Sequence, residues 1–428
     1  MLTRIAAVLT VLLATYVYRS GNIVKHHILT LPDLPAAYFA GGNYTEHCTL
    51  ITDPDPVANT ITACEDIAFW DHLDTEGALA RRLVLLGCDP NRKAWNTVMG
   101  PLRDPEPRAF LWLFDTDSQA LQPVLLEDYP AKHDFHPLGL EAEPSRAGEP
   151  SALFVVNHAR ERTTIEQFVL DPAKLGVATY VRTLSSPKFV SPNALALTSS
   201  TSFYVSNDHL MTRRLPSPLG NILPLLESVG GLPLGWIAHV SLAPDGTFTH
   251  RVVARGIPFP NGVQLSPDGR TVAVASTTLA QVLFYDRDPA TDNLTFSHGV
   301  RVPLLPDNLY YMEDGTLVVT GHPHFPSLVK VAANATGAIA PSWAVVLRPI
   351  SDTTRVASEK DFAQRAYDLR APLSASAIVP ASLTHEVETL FQSDGSVFGT
   401  ACTTLVDSRT ATMYMSGLYA EGMLVCRP

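Results

Sequence analysis

Four Asp-Gly pairs punctuate the chain, at Leu242-Ala-Pro-Asp-Gly246, Leu265-Ser-Pro-Asp-Gly269, Tyr311-Met-Glu-Asp-Gly315 and Phe391-Gln-Ser-Asp-Gly395. After the second, Arg270-Thr-Val-Ala-Val-Ala275 alternates in the period-2 manner of a strand. After the third, Thr316-Leu-Val-Val-Thr320 is a short β-branched run. Asp-Gly between two such runs signals a hairpin, because a type I′ turn needs positive φ at both central positions. The 34 prolines and 25 glycines suit many short strands joined by turns and disfavour long helices. Hairpins repeated along 428 residues, nearly half of them apolar, predict an all-β propeller. Their uneven spacing rules out a WD40-type array. A β-sandwich or a set of unrelated hairpins is the competing arrangement.

The N-terminus reads as a targeting segment. Met1 to Arg4 is a short basic start, and residues 5–18 are apolar except for Thr10 and Thr15. That run is shorter than the roughly 20 residues of a typical transmembrane helix, so it fits a signal-peptide core or an uncleaved anchor. A buried N-terminal helix is the other reading. The expected division is residues 1–24 as signal peptide or anchor and residues 25–428 as one propeller domain. Five cysteines without a C-x-x-C pattern suggest one or two disulfides and an odd thiol, not zinc. Sequons at Asn43, Asn293 and Asn334 agree with a secretory chain, secreted or held at a membrane by its first residues. A net charge of −11 with no basic cluster excludes nucleic acid as a partner and suits a hard cation.

Two long insertions interrupt the strand pattern. Within residues 76–107, residues 77–86 are helix-capable; residues 351–373 are polar and mixed, a helix or a loop over one face. Oxygen-bearing residues stand before short apolar runs at four places: Glu65-Asp66, Asn193, Asn261 and Asp307-Asn308. Each alone fits a turn residue bonding its own backbone. In a propeller, where inner strands converge, one Glu, one Asp and three Asn can supply a calcium shell without thiolate or imidazole. Glu65 and Asp66 are adjacent in a strand and so face opposite sides. Gly262, after Asn261, allows close backbone approach.

These segments resemble the serum paraoxonase/arylesterase family, in the same order and over most of the chain. The resemblance rests on Cys64-Glu-Asp-Ile-Ala, Phe135-His-Pro-Leu-Gly-Leu140, Leu153-Phe-Val-Val-Asn-His158, Pro192-Asn-Ala-Leu195, Phe203-Tyr-Val-Ser-Asn-Asp-His209, the Asn261 to Gly269 string, Asp307-Asn308 and Gly321-His-Pro323. It implies a six-bladed β-propeller with calcium in its central tunnel and a hydrophobic N-terminal helix. It implies hydrolysis of lactones and aryl esters. The catalytic calcium would be held by Glu65, Asn193, Asn261, Asp307 and Asn308. A second, structural calcium would use Asp66 and the Leu140 carbonyl, but Ala194 stands where the family has a third ligand, an Asp. A Cys48–Cys426 disulfide would close the propeller; in the chain-entropy account so long a loop is worth roughly 4–5 kcal/mol. His158 matches one member of the family's catalytic histidine pair. The other position holds Leu138, with His136 two residues earlier, and His209 and His322 match positions near the tunnel mouth.

The implied reaction is water attack on a metal-polarised carbonyl, with His158 as base or a shell carboxylate, Glu65 or Asp307, in its place. The substrate is a small ester or lactone. No G-x-S-x-G, H-E-x-x-H or P-loop string offers other chemistry. A gluconolactonase/regucalcin-type lactonase and a non-catalytic, calcium-stabilised binding propeller are the alternatives.

Overall fold

Strands buried on both faces need apolar neighbours above and below, and here stacked antiparallel sheets supply them. The computed structural model describes residues 2–428 apart from 56, 99, 104, 105, 107 and 351–383. The strands that meet at the centre are β1 (Cys64–Leu73), β2 (Pro137–Ala142), β3 (Pro192–Ser199), β4 (Pro260–Leu265), β5 (Leu305–Tyr311) and β6 (Ala401–Asp407). Each begins an antiparallel meander. β1 continues through Leu79–Cys88, Phe110–Asp115 and Leu121–Glu127; β3 continues through Ser202–Asn207, Gly235–Leu242 and Phe248–Ile257. The meanders of β1 and β2 fuse into a nine-stranded sheet, because Val177–Leu184 runs parallel to Leu121–Glu127 with Val177 opposite Leu125. β1 packs on β2, and the contact passes along to β6, which packs back on β1. The result is an all-β, propeller-like arrangement.

Apolar layers fill the spaces between successive sheets. Trp70, Leu85, Phe135, Leu153 and Phe168 lie in one; Phe154, Phe203, Val205 and Ala238 lie in the next. Ile67, Val84, Phe114, Leu405 and Tyr414 form the layer between the meanders of β6 and β1. Arg82 adds a polar tie at that seam. It is buried and pairs with Asp71 of β1 at 2.7 Å, Asp407 of β6 at 3.2 Å and Glu313, just after β5, at 2.9 Å.

The last sheet is completed by the start of the chain. Cys48–Ile51 pairs antiparallel with Met423–Cys426, Cys48 opposite Cys426, and those two cysteines form the expected disulfide. A second disulfide joins Cys64 and Cys88, directly opposed on β1 and its neighbour, and Cys402 is a buried free thiol.

Three expectations need correction. Residues 77–86 are not helical; they enter the strand Leu79–Cys88, whose last seven positions are buried. A continuous apolar run fits both periods, and pairing with β1 decides it. The Asp-Gly turns are hairpins at 245–246, 268–269 and 314–315, but not of type I′. Only the glycine has positive φ (+87°, +69° and +84°), and the Asp carboxylate instead accepts the N–H two residues on. Asp394-Gly395 is no hairpin, since it leads from one sheet to the next. The insertion at 351–373 lies outside the described residues.

Helices α1 (Leu2–Val24), α2 (Leu219–Gly230) and α3 (Phe325–Ala332) meet Phe259 and Leu305, at the starts of β4 and β5. Tyr16 of α1 donates to the Val229 carbonyl of α2 at 2.8 Å, and buried His27 meets the Pro323 carbonyl at 2.9 Å. Among the described residues, no helix is long and apolar enough to cross a membrane.

The Cys48–Cys426 bond spans 378 residues of sequence, so breaking it enlarges the unfolded ensemble. Cys426→Ser is expected to lower the urea unfolding midpoint by the equivalent of roughly 2–5 kcal/mol. Denaturation followed by tryptophan fluorescence checks this.

Candidate metal and catalytic site

One irregularity recurs at the start of every central strand. The register skips one residue between Cys64 and Asp66, Pro137 and Leu140, Pro192 and Leu195, Pro260 and Val263, Pro306 and Leu309, and Ala401 and Thr403. A bulge leaves one residue unpaired and re-aims its side chain. The bulged segments hold Glu65, Leu138, Asn193, Asn261, Asp307-Asn308 and Cys402. Prolines open four of these segments, where a missing N–H is harmless. Glycines let them crowd together. A Cβ on Gly139 would stand 2.2 Å from the Asn193 carbonyl oxygen, and one on Gly262 would stand 2.8 Å from Asn308 Cα.

Five of the sequence-predicted oxygen residues gather there. Glu65, Asn193, Asn261 and Asp307 line one cavity, and Asn308 is bonded to Glu65. The amide groups are oriented by their NH2 ends. Asn193 Nδ2 donates to Asp208 Oδ2 (3.3 Å), Asn261 Nδ2 to Asp307 Oδ1 (2.6 Å), and Asn308 Nδ2 to Thr403 Oγ1 (2.9 Å) and Glu65 Oε1 (3.2 Å). Asn193 Oδ1, Asn261 Oδ1 and Glu65 Oε2 are buried with no hydrogen-bond partner among the described residues. Three unpartnered oxygens are costly in a dry site and are what a hard cation takes up. No group of three or more His, Cys, Asp and Glu with metal-holding geometry occurs among the described residues; this oxygen set is mostly amide.

The carboxylates are strained electrostatically. Desolvation pushes the Glu65 carboxyl well above its usual range, and nearby Asp66 and Asp307 push it further, against buried Arg92. Desolvation raises Asp66 to about 7, against hydrogen bonds from Leu140, Thr403 and Ile67. Those donors occupy both Asp66 oxygens: Ile67 N–H and the Thr403 hydroxyl on Oδ1, Leu140 N–H on Oδ2, each at 2.9 Å. Leu140 gives its N–H to Asp66, and Ala194 gives its N–H to Ser206 at 3.0 Å.

The histidines divide sharply. His158 lines the cavity, but Nδ1 lies 2.6 Å from Thr97 Oγ1 and Nε2 lies 2.8 Å from the Pro192 carbonyl. The carbonyl requires the proton on Nε2, so Nδ1 accepts from Thr97, and no lone pair is left for water. Desolvation lowers its pKa to about 4. His209 is bonded to Ser228 of α2 at 2.7 Å and lies edge-on to Phe259, outside the cavity lining. His322 lines the cavity and holds Asp307 Oδ2 through Nε2 at 2.8 Å. His136 also lines it, beside Leu138, with Nδ1 3.0 Å from Asp89 Oδ2.

Asp89 and Arg92 escaped the sequence reading. Asp89-Pro90-Asn91 looks like a turn, and it is one, since Asp89 Oδ1 accepts the Asn91 N–H at 2.9 Å. Its second oxygen serves the site, which only the fold discloses. A small apolar cleft, formed by Ile23 and Val24 of α1 with Phe259, Leu305 and Phe325, adjoins the cavity.

The arylesterase family model matches residues 104–359, more than half of the chain. Serum paraoxonase/arylesterase 2 of Canis lupus familiaris is 28% identical over 40% of this chain and 45% of its own length. Its counterpart from Rattus norvegicus is 26% identical over 63% of this chain and 64% of its own length. The chain therefore spans less than two thirds of either relative. A luciferin-regenerating enzyme structure aligns with TM-score 0.45 and 11% identity over 89% of this chain and 95% of that one.

The neutral burial of His158 gives a measurable consequence. The unfolded imidazole takes its proton near 6.5 and the folded one only near 4, so the unfolded state binds more protons between those values. Stability from this residue is intact above pH 6.5 and declines as pH falls to 4. The His158 ring resonances are expected to stay constant from pH 8 to about 5 in an NMR titration; movement near pH 6.5 would contradict its placement.

Proposed function

The chain belongs to the arylesterase family, and from that premise we propose that it is a calcium-dependent hydrolase of lactones and of aryl and other carboxylic esters. The observation that carries this reading is the trio of buried oxygens on Glu65, Asn193 and Asn261 that have no hydrogen-bond partner among the described residues, beside the Asp66 and Asp307 carboxylates, which push the Glu65 carboxyl up. Glu65, Asn193, Asn261, Asp307 and Asn308 would hold one calcium ion. When bound, the ion supplies Lewis-acid polarisation of the substrate carbonyl and offsets charge gathering on its oxygen. His322 and Asn261 fix Asp307 from two sides, and Thr403 fixes Asn308, so the oxygens keep their aim as substrates exchange. The apolar cleft beside the cavity offers the non-reacting part of an ester or lactone a dry surface.

A six-bladed propeller closed around this cavity is part of the same reading, supported by the packing of β1 through β6 and the return of β6 onto β1. So is passage through the secretory pathway with residues 1–24 as signal or anchor. Two disulfides support it, because such bonds persist in oxidising compartments. The sequon residues Asn43, Asn293 and Asn334 are all exposed and accessible to glycosylation.

Hydrolysis of aryl acetates and of lactones of several ring sizes is expected to disappear on chelation and return with calcium. Asn261→Ala should weaken calcium binding at least about tenfold, or about 1.4 kcal/mol, measured by calorimetry. Turnover unchanged by chelation and by Asn261→Ala would rule the reading out. Marked preference for sugar lactones would favour a gluconolactonase-type enzyme, and calcium binding without turnover would favour a binding propeller.

A further inference from the structure

The geometry points to a buried aspartate–histidine pair, Asp89 and His136, as the proton-transfer device of this site, with His136 Nε2 as the atom that deprotonates the attacking water. The inference rests on the hydrolase reading above and deepens it by naming the base.

Four observations carry it. His136 is 2% exposed and Asp89 1% exposed, so their contact at 3.0 Å is shielded from solvent. A carboxylate on Nδ1 places the ring proton there and leaves the lone pair on Nε2. That nitrogen is buried without a hydrogen-bond partner among the described residues, while His136 lines the same cavity as Glu65, Asn193 and Asn261. The pair is also anchored: Asp89 Oδ1 takes the Asn91 N–H, the His136 N–H donates to Asn157 Oδ1 at 2.8 Å, and the His136 carbonyl accepts the His158 N–H at 3.0 Å.

The other histidines do not offer this. Both nitrogens of His158 are engaged, and His209 lies outside the cavity lining. His322 has an unpartnered Nδ1, but its other nitrogen holds Asp307, a member of the oxygen shell. His136 alone among the cavity histidines leans on a carboxylate outside that shell. It compensates for Leu138, the apolar residue two positions on.

The step balances without any further reagent. A water O–H bond breaks and its proton goes to His136 Nε2. The water oxygen bonds the carbonyl carbon as the C=O π pair moves to oxygen. Collapse of that adduct breaks the ester C–O bond, and the departing oxygen takes the proton back from His136. Ester plus water gives acid plus alcohol, and the pair ends as it began. Asp89 touches no reacting atom; it is a positioning residue that fixes the tautomer and steadies the transient imidazolium.

The test uses the full-length calcium-loaded enzyme. His136→Gln is expected to lower kcat roughly 10²-fold or more, leaving KM and calorimetric calcium affinity within about twofold. In His136→Ala, added imidazole should restore part of kcat. Asp89→Asn should lower kcat at least about tenfold with KM unchanged, and Asp89→Glu should recover part of the loss, which a merely structural residue would not show. Wild-type kcat in folded His136→Gln, or no imidazole rescue together with unchanged kcat in Asp89→Asn, overturns the assignment while leaving the hydrolase reading standing. Absence of metal-dependent turnover in the wild-type chain sinks that reading instead, and this assignment with it.

Discussion

Negative charge packed into a buried centre is the condition that the rest of the molecule answers to. Glu65, Asp66 and Asp307 are all buried, and an uncompensated buried carboxylate costs several kcal/mol. The chain relieves each one differently. Asp66 is satisfied by three protein donors and has become part of the framework. Asp307 is clamped by Asn261 and His322, and Glu65 retains an oxygen with no partner among the described residues. Arg92 is the buried cation nearby, yet its own hydrogen bonds go to the Ala63 and Pro137 carbonyls. A framework built at this expense is intelligible if a divalent cation completes it.

Around that centre, sheets and layers act as a mounting. Apolar layers hold neighbouring sheets at fixed separation, and glycines at 139 and 262 bring the bulged starts of neighbouring strands into backbone contact. The Cys64–Cys88 bond adds a local tie. It lies between Glu65, on the residue after one cysteine, and Asp89, on the residue after the other. The carboxylate assigned to the ion and the carboxylate that orients His136 thus spring from opposite ends of one covalent bridge.

The five-oxygen set was legible in the amino-acid sequence because its members recur in one local context: an oxygen-bearing residue just before a short apolar run, three times after proline. The fold class was legible for a similar reason, since Asp-Gly turns repeat. What stayed hidden depends on pairing across the chain. Residues 77–86 carry an apolar run that fits a helix or a strand, and only β1 decides between them. Asp89 reads as an ordinary turn residue, and its partner lies 47 positions away. His158 carries the type and the string of a catalytic residue, but Thr97 and the Pro192 carbonyl claim both of its nitrogens. Residue type is local information, whereas the availability of a lone pair is not.

The recurring bulge has a further consequence for how such a site can change. Each central strand contributes its site residue from a segment already released from ladder pairing, so that residue is not part of the hydrogen-bonded register. Exchanging one side chain there leaves the neighbouring strands in step. The cavity wall is in effect a ring of sockets on one collar, whose occupants are tied to each other through side chains, as Asn261 is to Asp307 and Asn308 to Glu65. Leu138 and Ala194 occupy such sockets with apolar residues while the collar around them remains intact. His136 and Asp89 reach the same cavity from segments just ahead of a bulge and just past a strand end, so the wall draws side chains from beyond the sockets as well.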